Sequence, residues 1–275
     1  MLEHPIGENI QVNRALLERV FWHMVGIINT KHKKHTDGSG QATAWQEIGT
    51  GAACQFRGQK LILTAAHVLE GADKADIQFL PRGTGRIEWA DEANRTRTER
   101  VALEIEKIVQ CAWEDLAAVV LGENVPESVN IRFCDLPQKF SEPPVKGNVV
   151  VLGYPYDQAL VVDRSREGDT MVHKQAAKSD GFRGEVVTTR RLLSGFDAER
   201  HFLVKFYPSS PGGKPQGYSG AGVWRTDTSE TASGVWSADP LLTGIETHGY
   251  ADSGLLRVVR SSSVRLFLEE AIPES

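Results

Sequence analysis

Residues 49–69 read GTGAACQFRGQKLILTAAHVL. Gly49 to Phe56 is a strand-like run, Arg57 to Lys60 is a polar turn, and Leu61 to Thr64 is a second apolar run that ends in Ala65-Ala66-His67. Two short apolar runs about a polar turn predict a β-hairpin. His67 then stands at the end of an apolar strand, after two small residues. A histidine in that place is either a satisfied core residue or a base presented at a strand end.

Outward from this hairpin the pattern is mostly strands. Residues 13–22, apolar at Leu16, Leu17, Val20 and Phe21, predict a short N-terminal helix, and Val25 to Asn29 a strand. Residues 30–47 are polar, contain Gly38 and Gly40, and predict a long loop. Within it, His32-Lys33-Lys34-His35 reads as a solvated run rather than an anion or metal site. Ile77 to Leu80, Arg86 to Trp89 and Val101 to Val109 predict strands, with Asp91 to Arg100 a charged loop. Trp113-Glu114-Asp115 is an acidic turn feeding the apolar run Leu116 to Leu121.

Pro126, Pro137, Pro143 and Pro144 punctuate a connector. Beyond it, Val149 to Pro155, Thr170 to Ala177, Gly184 to Thr189, Phe202 to Phe206, Leu241 to Glu246 and Leu255 to Val259 predict strands. Segments 156–183 and 208–216 are longer than a minimal barrel needs and are read as cleft-shaping loops. Ser262 to Ala271, capped by Ser261 or Ser262, predicts a C-terminal helix with Val264, Phe267 and Leu268 on one face. The expected class is all-β, with a first domain at 1–122, a connector at 123–147 and a second domain at 148–275.

Composition narrows the partners. A chain of 275 residues buries roughly three quarters of its unfolded surface and needs no staples. With 31 basic and 36 acidic residues the net charge is −5, which argues against nucleic acid or an anionic membrane. Cys54, Cys111 and Cys134 have neither disulfide-framework nor zinc-site spacing, so buried thiols are expected, with one bridge between two of them left open. The first apolar run, Val20 to Ile28, follows Glu3, Glu8 and Glu18 and is broken by His23, unlike a secretory signal. A cytoplasmic location is the expectation.

The stretch that gives His67 a chemical meaning is Gly217-Tyr218-Ser219-Gly220-Ala221-Gly222. Glycines on both sides let the backbone approach a substrate and expose N–H groups beside a serine hydroxyl. An acyl-transfer nucleophile and its oxyanion site need that arrangement.

Taken together these residues resemble the chymotrypsin/trypsin-like serine endopeptidases. Thr64-Ala65-Ala66-His67-Val68, Asp115-Leu116-Ala117-Ala118-Val119 and Gly217 to Gly222 resemble that family's histidine, aspartate and serine motifs, in the family's order. Gly153-Tyr154-Pro155 and Gly244-Ile245-Glu246-Thr247-His248-Gly249 resemble a strand end and the substrate-binding strand, closest to disulfide-poor bacterial, glutamyl-endopeptidase-like members. The resemblance implies two antiparallel Greek-key β-barrels with the active site in the cleft between them. It also implies His67 as general base, Asp115 as its orienting acid and Ser219 as nucleophile. The N–H groups of Gly217 and Ser219 become the oxyanion hole, with no metal or cofactor. The partner is a protein or peptide substrate of narrow range, with a regulatory partner as one means of control.

Specificity falls on Gly213 and on the strand Glu246, Thr247, His248 and Gly249. Glu246 in the pocket favours Arg or Lys before the scissile bond, which is the preferred reading. A register one residue different puts His248 there and favours acidic residues, and in a third reading neither faces the substrate. Tyr218 stands where many trypsin-like enzymes have the aspartate that pairs with a new N-terminus, so activity is expected not to depend on that pairing. Two competing readings are a pseudoprotease used for binding and, from the match of Gly217 to Ala221 to a nucleophile elbow, an α/β-hydrolase esterase.

Overall fold

The hairpin at residues 49–69 forms the centre of the first of two sheets. The computed structural model describes residues 19–34, 42–80, 101–129, 131–144, 147–155, 159–167, 170–177, 180–188, 193–206, 215–225, 240–250 and 252–274. In the first half β1 is Met24–Lys34, β2 Ala42–Phe56, β3 Gln59–Thr64, β4 Ile77–Leu80, β5 Ile105–Gln110 and β6 Ala117–Leu121. Their order across the sheet is β4-β1-β2-β3-β6-β5. An antiparallel bridge from Phe79 to Val101 joins β4 to the segment ahead of β5 and curls the sheet.

The connector holds β7 (Cys134–Asp135), parallel to β2, and the one-turn helix α1 (Leu136–Lys139). Cys54 of β2 faces Cys134 of β7 in that ladder, and both remain thiols. Burial, with the neighbouring thiol, pushes Cys54 well above its ordinary pKa.

In the second half β8 is Gly147–Gly153, β9 Ala159–Glu167, β10 Thr170–Ala177, β11 Asp180–Val187, β12 His201–Lys205, β13 Gly222–Arg225, β14 Leu241–Tyr250 and β15 Leu255–Arg260, with helix α2 at Ser261–Ala271. Strands β11-β12-β15-β14-β13-β8 close into a six-stranded barrel. The all-β expectation holds, and the arrangement is the two-barrel architecture.

The apolar runs explain the layering. Every residue of Leu61 to Thr64 and of Ala117 to Leu121 is buried, as a strand covered on both faces requires. Leu61, Leu63, Ala118 and Val120 face a core shared with the second half, where Val150, Leu152, Trp224 and Phe267 meet them. Ile62, Val119 and Leu121 face the inside of the curled first sheet. Val149, Val151 and Val223 likewise fill the inside of the closed barrel. Period-two alternation thus assigns each strand residue to one of two cores.

Several expectations are corrected. Residues 30–34 and 42–47 are strand rather than loop: β1 runs on to Lys34 and β2 begins at Ala42, paired in register from Met24 opposite Ala52 to Lys34 opposite Ala42, while 35–41 lie outside the described residues. Polar strand residues gave no hydrophobic alternation to betray this. Within segment 156–183 the expected strand Thr170 to Ala177 is present as β10, but it pairs with an unexpected strand, β9, and in parallel with β2 through residues 170–172 and 42–44. The strand expected from Val101 begins at Ile105. Helix α2 starts at Ser261, whose hydroxyl donates to the Ser141 carbonyl at 2.9 Å rather than capping the helix. Of the predicted N-terminal helix, 19–21 are helical and the remainder lies outside the described residues, as do the strand at 86–89, the loop at 91–100 and most of segment 208–216.

Leu63→Ala removes a fully buried side chain from the shared core. It is expected to destabilise the fold by ~2–5 kcal/mol in urea unfolding at unchanged slope. The same truncation at Leu266, 56% exposed, should move the midpoint little.

Candidate active site

Thr50, fully buried on β2, ties the serine turn to the strand that delivers His67. Its N–H donates to the Ser219 carbonyl at 2.9 Å, and its hydroxyl donates to the Gly217 carbonyl at 2.7 Å. The same hydroxyl accepts from the Tyr154 N–H at 3.0 Å, while the Thr50 carbonyl accepts from the Thr64 hydroxyl at 2.7 Å. Thr64 ends β3, just ahead of His67.

The turn itself is defined by two glycines. Tyr218 N–H donates to the Pro215 carbonyl at 3.2 Å and Gly217 has φ +93°, the geometry of a type II turn, which demands positive φ at its third residue. No described residue accepts the N–H of Gly217 or of Ser219. Gly220 has φ +88°, and a Cβ there would stand 2.0 Å from the Thr50 carbonyl oxygen. Tyr218 is 2% exposed, its ring edge-on to Phe182 and Phe206 at 5.4 and 5.7 Å. An aromatic cluster therefore anchors the turn from below. After the serine the chain enters β13 rather than a helix, so the nucleophile elbow of an α/β-hydrolase is not formed.

His67 lies on the short 3-10 turn Ala66–Leu69, whose Val68 carbonyl accepts from the buried Asn29 amide at 3.1 Å. Its Nδ1 donates to Asp115 Oδ2 at 2.7 Å, and its backbone N–H donates to Asp115 Oδ1 at 3.0 Å. A carboxylate on Nδ1 fixes the proton there and leaves Nε2 with a lone pair. Burial alone would raise Asp115, but the hydrogen bonds from the His67 ring and backbone outweigh it and hold the carboxyl below its usual range. Ser219 Oγ makes no hydrogen bond to His67 or to any other described residue.

Beside Asp115 opens a cavity of about 560 Å³, lined by Trp113, Phe196, Arg200, Arg257 and neighbours. Arg257 donates from Nε to Thr247 Oγ1 at 3.3 Å and from Nη1 to the Gly195 carbonyl at 2.8 Å. Glu114 accepts His201 Nε2–H at 2.8 Å and forms an ion pair with the Arg200 guanidinium at 3.3 Å.

Glu246 is on β14, joined to the serine turn by Gly220 N–H to its carbonyl at 2.8 Å and by its own N–H to the Ala221 carbonyl at 2.9 Å. Its carboxyl is fully buried, and among the described residues neither oxygen has a well-formed hydrogen bond. Burial pushes its pKa up to about 8, against the pull of Arg257 and with the push of Asp115. The ladder slips between Glu246 and His248, so Thr247 has no opposite residue on β15. That bulge leaves His248 exposed, edge-on to Tyr250 at 4.8 Å. Burial, then the charges of Arg257 and His67, lower the His248 pKa. Gly249 packs on Pro215, where a Cβ would come within 2.5 Å of the proline ring.

The structure therefore brings His67 and Asp115 into contact and sets Glu246 under the Ser219 turn, while Gly213 lies outside the described residues. Sequence reasoning missed Thr50, Thr64, Arg257 and the Glu114–His201 pair. For Glu114 the signal was its place beside Asp115; for Thr50 it was a hydroxyl residue between two glycines on an otherwise apolar strand.

These features define a serine peptidase of the two-barrel class. The sequence matches the model of the trypsin family over residues 27–200, a stretch that contains His67 and Asp115 and ends before Ser219. The chain belongs to the trypsin family and is a trypsin-like serine protease. Its fold is similar to that of the Rv3671c protease of M. tuberculosis in its active form, at 14% identity over 98% of this chain and 91% of that one, with a TM-score of 0.51. It is also similar to a serine endoprotease of Yersinia pestis, at 15% identity over 98% of this chain and 68% of that one, TM-score 0.53. A third likeness is to an inactivated protease paralogue of the scabies mite, at 13% identity over 93% of this chain and 98% of that one, TM-score 0.54. No curated protein matches the sequence.

The Glu246 pKa, raised from 4.5 to about 8 in the fold, makes stability pH-dependent. The folded state keeps a proton that the unfolded chain gives up above about pH 4.5, so stability falls as pH rises through that point and levels off above about 8. Chemical denaturation at pH 4.5 and pH 8.5 is expected to show Glu246→Gln gaining on the parent by on the order of 5 kcal/mol across that span.

Proposed function

We propose that this peptidase cleaves peptide bonds through Ser219, His67 and Asp115 by way of an acyl-enzyme. The observation that carries the reading is the two-point hold of Asp115 on His67, ring and backbone, at 2.7 and 3.0 Å. Substrate binding brings the Ser219 hydroxyl within reach of Nε2, which takes its proton as the oxygen attacks the carbonyl carbon. Asp115 stabilises the imidazolium that forms. The N–H groups of Gly217 and Ser219 receive the oxyanion. His67 then gives its proton to the leaving amine, the first product departs, and water attacks the acyl-enzyme with His67 again as base.

Tyr218 supports independence from a new N-terminus, because aromatic packing rather than an ion pair holds the turn. Substrate range is narrow, with a regulatory partner as one means of limiting access. The three thiols fit a reducing, cytoplasmic setting.

Glu246 supports a preference for Lys or Arg before the scissile bond. Neutral while unpaired, its carboxyl loses its proton when a cation enters beside it, so recognition and proton release are one event.

Fluorophosphonate labelling that disappears in Ser219→Ala is the expected result, with kcat in His67→Ala and Ser219→Ala reduced by ~10⁴-fold or more. Absence of labelling in the parent chain would place it with non-catalytic relatives, a reading favoured by the lack of a Ser219–His67 hydrogen bond. A peptide library should return Lys and Arg before the cut, with the ratio of kcat/KM for them to that for neutral residues rising towards about pH 8 and that selective rise lost in Glu246→Gln. Selection of acidic residues instead would transfer the role to His248.

A further inference from the structure

We propose that Glu114, held by His201 and Arg200, is the positioning residue that sets Asp115 against His67. This rests on the reading of His67 and Asp115 as the catalytic pair, and it adds a part of the site that acts only through that pair.

The geometry begins with the backbone. Leu116 N–H donates to the Glu114 carbonyl at 2.8 Å, and Cys111 N–H to the Leu116 carbonyl at 2.9 Å. Asp115 is therefore the middle residue of a tight three-residue turn. Its orientation is fixed by whatever holds residues 114 and 116. Leu116 is fully buried in the shared core. Glu114 is held by a different kind of anchor, and that anchor comes from the other half of the molecule.

Glu114 has a side chain 5% exposed, and it points at the start of β12. His201, with a side chain 3% exposed, accepts the Asp197 N–H at Nδ1, at 2.9 Å. Its proton is therefore on Nε2, which donates to Glu114 Oε2 at 2.8 Å. Arg200 approaches Oε1 at 3.3 Å. Arg200 is itself set by Asp197, which accepts its Nε at 3.0 Å and the Glu199 N–H at 2.9 Å. Arg200 Nη1 also reaches the Trp113 carbonyl at 3.4 Å, on the other side of Glu114. Both carboxylate oxygens are thus engaged by donors whose own positions are fixed by the 197–201 turn.

A carboxylate buried this far is expensive unless fully paired, and here it is paired by groups that do no chemistry. Its place in the chain gives the pairing a use. A shift of Glu114 passes directly to Asp115 through one peptide unit. The His67 contacts of 2.7 and 3.0 Å leave little room for such a shift. Misplacement of a catalytic group by about 1 Å can lower rates by about a hundredfold.

The test compares Glu114→Ala, Glu114→Gln and Arg200→Met in the full chain. Glu114→Ala is expected to lower kcat by ~10–100-fold on a peptide substrate with KM changed by less than about threefold. Glu114→Gln, which still accepts from His201, should return kcat to within about threefold of the parent. The low-field proton resonance of His67 Nδ1–H should shift or vanish in Glu114→Ala and persist in Glu114→Gln. Arg200→Met alters a side chain 44% exposed and so preserves folding; it should lower kcat severalfold at constant KM. Parent-like kcat and an unmoved resonance in Glu114→Ala, with only the melting temperature lowered, would overturn the proposal. If Glu114→Ala does not fold, parent-like kcat in Arg200→Met and Glu114→Gln alike would do the same. Asp115→Asn separates the two readings: if it keeps parent turnover, the catalytic pair itself is misassigned; if it is inactive while Glu114→Ala is not, only the tether fails.

Discussion

The site depends on the hydrogen bonds gathered at Thr50. This residue uses its N–H, its carbonyl and both roles of its hydroxyl, and its partners come from the serine turn, from β3 and from the end of β8. Two half-structures that each fold around their own interior are joined here, with the strand that leads to His67 tied to the turn that carries Ser219. Apolar packing between them is strong but non-directional, so it cannot by itself set the distance between a turn and a strand end. Buried hydrogen bonds can, because an unpaired carbonyl or N–H in that place is penalised in any other alignment. Close approach follows: only a glycine at 220 lets the serine turn lie against the Thr50 carbonyl.

Around that fixed point the charged groups fall into two kinds. Glu114 and Asp115 are adjacent carboxylates whose oxygens are fully engaged, one by groups of the 197–201 turn and the other by His67. Glu246 is the opposite case, a buried carboxyl with no well-formed hydrogen bond among the described residues. Neighbouring acids held in such unlike surroundings differ in which of them is charged at neutral pH. Asp115 stays ionised and Glu246 stays neutral, so the negative charge of the site is concentrated behind the imidazole.

The contact of His67 with Asp115 was legible in the sequence because each is a polar residue set at the end of an apolar strand. The sequence made β3, β6 and β8 legible because continuous apolar runs mark strands covered on both faces. It concealed the outer halves of β1 and β2, and all of β9, because strands of mixed polarity carry no alternation. Strand β14 was legible as a strand but not in the facing of its side chains. Which of Glu246 and His248 turns inward depends on the bulge at Thr247, and a one-residue slip leaves no mark on composition. Thr50 and His201 were harder to read for another reason: the contacts that tie them to the site, to Gly217 and to Glu114, span more than eighty residues.

The pairing of β10 with β2 has a consequence for how the molecule comes into being. β2 is a partner of β1 and β3 from its own neighbourhood, of β7 from the connector, and of β10 from deep in the second half. Arg57, at the tip of the β2–β3 hairpin, also donates to the Ile272 carbonyl at the far end of the chain. A chain emerging N-terminus first therefore cannot finish its first sheet until the second half has been made. Such long-range closures carry a large loop entropy before any contact compensates it, and they slow folding. His67 and Asp115 are both synthesised early, yet the frame that aligns them with Ser219 is assembled last. The candidate site is thus complete only with the whole fold, and a half-made chain holds His67 and Asp115 without Ser219.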